Sequence, residues 1–68
     1  MAIVKVIEVL AESDVGWEQA VQKAVGEASK TVRNIKSVYV KDFQATVEGD
    51  KVRQYRVNAK ISFLLDKS

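Results

Sequence analysis

The chain has 68 residues, a formal net charge of +2 from eleven Lys and Arg against nine Asp and Glu, and neither Cys nor His. One domain of this length, spanning residues 1–68, buries only about 60% of its unfolded surface, and the usual reinforcements are disulfides, a metal or oligomerisation. Without Cys there is no disulfide, and without His the commonest zinc designs and the general base that titrates near neutrality are gone, so oligomerisation is left.

Both signs of charge are spread along the chain. A nucleic-acid-binding surface would cluster basic residues among exposed aromatics, so no nucleic-acid partner is expected. No apolar run is long enough for a bilayer and no signal-like segment is visible, so no membrane partner is expected and the expected compartment is the cytoplasm.

Ile3 to Leu10 carries Ile3, Val4, Val6, Ile7 and Val9 around Lys5 and Glu8, which predicts a strand with apolar residues on both faces. In a chain with one helix, the second cover must come from another subunit. Ala11 to Gly16 connects to the helix, with Ser13 or Asp14 as the expected cap and Glu18 in the first turn. Trp17, Ala20, Val21, Ala24, Val25, Ala28 and Val32 then follow helical spacing, which predicts one amphipathic helix ~26 Å long. Asn34 is the expected left-handed cap. Trp17 reads either as a stacking platform for a ligand or, in register with the apolar stripe, as an anchor closing the end of the core.

Ile35 to Val47 is a second extended segment. Val38 and Val40 are expected on one face and Tyr39, Phe43, Ala45 and Val47 on the other, with Lys41 and Asp42 marking an edge or bulge. Glu48-Gly49-Asp50-Lys51 is the turn of a long hairpin, with Gly49 free to take positive φ. From Val52 to Leu65 the apolar set alternates with period two, the mark of a half-buried strand. Such a strand runs ~45 Å, whereas a compact domain of this size is ~25 to 30 Å across. The excess implies cover from other copies of the chain. Strand, helix, strand, strand in an antiparallel sheet puts the third strand in the middle, giving an α+β domain with sheet order 1-3-2.

Ser13-Asp14-Val15-Gly16-Trp17-Glu18-Gln19-Ala20, together with Thr31-Val32-Arg33-Asn34-Ile35 and Tyr55-Arg56-Val57-Asn58-Ala59-Lys60-Ile61-Ser62-Phe63, resembles the dodecins over nearly the whole length. The resemblance implies a βαββ protomer, a three-stranded antiparallel sheet wrapped around one helix, and twelve protomers in a hollow shell. It also implies a site for paired flavins, each ring stacked on a Trp near the start of the second strand and hydrogen-bonded by a Gln after the Tyr of the third. Here those positions are Ser37 and Arg56. A serine has no π face, which removes a stacking contribution of ~1 to 1.5 kcal/mol, and an arginine donates but does not accept hydrogen bonds. The resemblance therefore implies a cofactor site at Ser37, Val38, Tyr39, Asp42 and Arg56 in which ordinary flavin storage is disfavoured.

Tyr39, on the face of Ser37, offers a ring, and Arg56 offers an anion contact or a partner for Asp42 or Glu48 across a subunit interface. The tryptophan-lacking, arginine-bearing pattern also looks like the calcium dodecins, which makes Glu8, Asp42, Glu48 and Asp50 metal-ligand candidates. Three functions stay open. The first is a non-enzymatic shell binding a small ligand or ion, the second a flavin store (riboflavin or FMN) with a modified pocket, and the third a calcium-binding or structural shell. An enzyme is the weakest reading, because Ser13, Ser29, Ser37 and Ser62 have no His to activate them.

Overall fold

The computed structural model describes residues 3–65. The elements follow in the order β1 (Val4–Ser13), α1 (Trp17–Ala28), β2 (Ile35–Glu48) and β3 (Lys51–Leu64). The strands form one antiparallel sheet in the order β1-β3-β2, as expected from the crossover after the helix. β1 pairs with β3 in a single unbroken register from Val4 opposite Leu64 to Ser13 opposite Tyr55. β2 pairs with β3 through three register shifts, at Ile35/Ser37, Val40/Asp42 and Thr46/Val47.

The core lies between α1 and one face of the sheet. Ala20, Ala24 and Ala28 are buried from the helix side and Val57, Ala59, Ile61 and Phe63 from β3, while Ile7, Val9, Ala11, Val32, Ile35 and Val38 pack around them. Alanine at every turn lets the helix come close to the sheet, and the β-branched and aromatic residues of the strands supply the volume. Asn34 takes the left-handed conformation at φ 62° and Gly49 does so at φ 66° in the hairpin turn, both as expected.

The helix is shorter than its apolar stripe. Ser29, Lys30, Thr31 and Val32 still direct their N–H groups back to the carbonyls of Val25, Glu27 and Ala28, which tightens the last turn, but regular α-helix ends at Ala28. At its other end, Ser13 belongs to β1, and its Oγ accepts from Val15 N at 3.0 Å. Among the described residues no side chain caps the helix, which starts after Gly16. The expected Ser13 or Asp14 cap is thus replaced by a strand that runs three residues further than its apolar run.

Twelve helical residues cover roughly 18 Å, against roughly 48 Å for a 14-residue strand. The molecule is correspondingly elongated, at 52 × 19 × 13 Å with a radius of gyration of 13.9 Å. A compact chain of this length would have a radius of about 11 Å. No helix among the described residues is long and apolar enough to cross a membrane.

Candidate functional site

The alternation of β3 sorts the sheet into two faces. Tyr55, Val57, Ala59, Ile61 and Phe63 point toward the helix, so Gln54, Arg56, Asn58, Lys60 and Ser62 point away from it. The pairing then places Val4, Val6, Glu8, Leu10 and Glu12 of β1 on the helix-free face, with Ser37, Tyr39, Asp42 and Gln44 of β2. Four of the five expected cofactor-site residues, Ser37, Tyr39, Asp42 and Arg56, therefore share one surface. Val38 does not. It faces the helix and packs against the core cluster.

The bulge at Lys41 also corrects the expected facing of β2. One extra residue inverts the alternation beyond it, so Phe43 and Ala45, opposite Val57 and Tyr55, join Val38 and Val40 on the helix side while Tyr39 stays on the other. Phe43 there meets Trp17 edge-on at 5.9 Å between ring centroids, and Tyr55 meets Trp17 at 5.0 Å. The indole Nε1 donates to the Gln44 carbonyl at 2.8 Å. Trp17 is thus the anchor that ties the start of the helix to the hairpin.

On the helix-free face, polar side chains are engaged with one another. Arg56 donates from Nε to Glu12 Oε2 at 2.7 Å, and its Nη2 is bonded to the same oxygen. Lys41 reaches Glu8 at 3.5 Å. The Ser37 and Ser62 hydroxyls are hydrogen-bonded to each other at 2.5 Å. Asn58, between Leu10 and Asp42 in the pairing, holds its Oδ1 shielded from solvent with no hydrogen-bond partner among the described residues. Around these groups Val4, Val6, Leu10 and Tyr39 stand more than half exposed.

Glu12 was not among the residues singled out from the sequence, and it is the partner that Arg56 takes within the protomer in place of Asp42 or Glu48. The signal was present, because a constant antiparallel register through Ile7 and Ile61 brings Glu12 opposite Arg56. Glu48 pairs instead with Arg53 at 2.9 Å near the hairpin turn. Glu8, Asp42, Glu48 and Asp50 are not brought together, and no group of three or more carboxylates that could hold a metal forms among the described residues. A cavity of about 610 Å³ lies elsewhere, between α1 and the β1 edge.

The dodecin family model matches residues 3–66. The chain belongs to the dodecin family. It is similar to the dodecin of Thermus thermophilus, 30% identical over 66 residues that cover 97% of this chain and 96% of that one. It is also similar to the calcium dodecin of Mycobacterium tuberculosis, 32% identical over 63 residues that cover 93% of this chain and 89% of that one. Among solved structures, the dodecin of Streptomyces coelicolor superposes with a TM-score of 0.92 at 33% identity, covering 98% of this chain and 96% of that one. The βαββ order and the β1-β3-β2 sheet are the fold of these dodecins.

The residues present do not fit a stacked flavin. Ser37, where the resemblance places the stacking ring, is already hydrogen-bonded to Ser62, and Arg56 donates from both Nε and Nη2 to Glu12. Nor does one protomer offer calcium a ready set of oxygens, since no group of three or more carboxylates forms among the described residues and Glu8, Glu12 and Glu48 are each paired with a cation of the same chain.

Proposed function

We propose that this dodecin is a non-enzymatic, cytoplasmic protein that assembles into a homododecameric shell and holds a small ligand or an ion at the helix-free face of its sheet. Ser37, Tyr39, Asp42 and Arg56 contribute to the pocket, and Glu12 sets the position of Arg56. The carrying observation is the double tether of Arg56 to Glu12, which fills the place where a flavin-binding dodecin presents an amide that both donates and accepts. The orphan acceptor Asn58 Oδ1 supports the reading, because a shielded carbonyl without a donor is supplied by a ligand, water or a neighbouring copy. Apolar side chains exposed along the same face support assembly, since solvent-facing patches of this kind mark association surfaces.

Riboflavin titration followed by fluorescence quenching tests the ligand reading. Weak, non-stoichiometric quenching is expected, and submicromolar stoichiometric quenching would restore the flavin store. A second reading, calcium binding, is favoured by the likeness to the M. tuberculosis protein, whose solved structure is 31% identical with a TM-score of 0.82 and is described as calcium-chelating with a novel calcium-binding site. It requires carboxylates from more than one copy. Calcium should then raise the melting temperature and a chelator reverse it; an unchanged melting temperature rejects calcium.

A further inference from the structure

We propose that the trough between α1 and the outer edge of β1, which borders the Arg56 face at Glu12, is a second binding site for a single-headed amphipathic anion such as a medium-chain carboxylate. Its walls are Ile7, Val9 and Ala11 of β1 and Ala24 and Ala28 of α1, whose small helical side chains leave a cavity of about 610 Å³. Small-molecule sites occupy roughly 300–1,000 Å³, with apolar walls and a few polar groups that orient the ligand.

The charges at the rim decide the ligand class. Glu12 and Glu27 both line the mouth, but Glu12 is held by Arg56, and Glu27 accepts from Lys30 Nζ at 3.0 Å. The Thr31 hydroxyl donates to the Ala28 carbonyl at 3.3 Å. Lys23 remains. It lines the trough and has no ion-pair partner among the described residues. An apolar channel whose one uncommitted charge is an ammonium suits a body without polar groups and a head that is negative. A cationic head would meet repulsion from Lys23, and an uncharged one would leave it with water alone. The long stem of Lys23 lets the ammonium follow the head while its methylenes stay against the apolar wall.

The test uses the assembled protein and calorimetric titration with dodecanoate, dodecan-1-ol and dodecyltrimethylammonium below their aggregation thresholds. Dodecanoate is expected to bind saturably at one per protomer, the alcohol at least tenfold more weakly, and the ammonium not at all. Lys23→Gln keeps the stem and removes the charge, so it should abolish the tenfold preference for acid over alcohol while leaving alcohol affinity unchanged. Ala11→Leu narrows the trough and should weaken acid and alcohol alike, with circular dichroism confirming the fold. The proposal is overturned by absence of saturable uptake, by equal affinity for acid and alcohol, or by a Lys23→Gln protein that keeps the preference. It is also overturned by uptake that breaks up the assembly in native mass spectrometry, which would mean that a second copy covers the trough.

Discussion

Replacing Trp17 by alanine is the sharpest probe of how the helix is fixed to the sheet. The indole is 38% exposed, packs edge-on against Tyr55 and Phe43 and donates to the Gln44 carbonyl. At the low end of the area a tryptophan buries, about 150 Å² at about 25 cal/mol per Å² gives roughly 4 kcal/mol, and a denatured chain that is already partly collapsed reduces this to roughly 3. The hydrogen bond adds about 1 kcal/mol. Trp17→Ala should therefore cost roughly 4 kcal/mol, and Trp17→Phe, which keeps an aromatic ring but loses the N–H, about 1 to 2. Urea unfolding followed by circular dichroism, at one fixed protein concentration because assembly couples to stability, measures both. A Trp17→Ala loss below 1 kcal/mol would mean that the aromatic cluster does not hold the hairpin to the helix.

Leu10→Asp and Val6→Lys place charge on the helix-free face beside Val4 and Tyr39, and should shift the protein to smaller species in analytical ultracentrifugation with little change in protomer secondary structure; an unchanged sedimentation coefficient would place the assembly surface elsewhere. Ser37→Trp combined with Arg56→Gln should convert the pocket to flavin binding, seen as stoichiometric riboflavin quenching, and a double variant as inert as the parent would mean that other positions block the ring. Gly49→Ala should cost about 1 kcal/mol in urea unfolding. At φ +66° the alanine is strained, although nothing lies within 4 Å of the new Cβ, so the loss comes from the backbone alone. A loss near zero would mean that the turn relaxes to another conformation. Arg56→Met should cost no more than about 1 kcal/mol, because both partners of its ion pair are a third or more exposed and solvent screens the pair.

The fold was legible because its signals are periodic and mutually consistent. Period two in β3, helical spacing from Trp17, and positive-φ residues at Asn34 and Gly49 each fix an element or its end, and the crossover then forces β3 to the centre. Helix length was less legible. Val32 continues the apolar stripe and packs against the core, but from the loop after Ala28, so hydrophobic spacing overran the hydrogen-bonded helix. The N-terminal side erred the other way, since Glu12 and Ser13 end a strand that hydrophobicity alone would stop at Leu10.

The candidate site was half legible for a related reason. Ser37 and Tyr39 sit two apart within one uninterrupted stretch of β2, so parity alone put them on one face, and pairing with β3 adds Arg56. Beyond Lys41 parity fails, because a bulge adds one residue to one strand only and the sequence marks it by nothing more than a charged pair, Lys41-Asp42. Had alternation continued, Asp42 would face the helix core and Phe43 would lie beside Tyr39 as a second exposed ring on the helix-free face. The bulge instead returns Asp42 to the polar surface and gives Phe43 to Trp17. One register shift thus sets both the polarity of the helix-free face and the edge-on contact of Phe43 with Trp17. Deleting Lys41 would force the two to compete: either Phe43, 60% exposed as it is, leaves Trp17 at a stability cost well below that of Trp17→Ala, or the hairpin re-registers and Arg56 loses its place opposite Glu12. Hydrogen exchange on the deletion variant distinguishes these, and protection patterns unchanged along both β2 and β3 would refute the coupling.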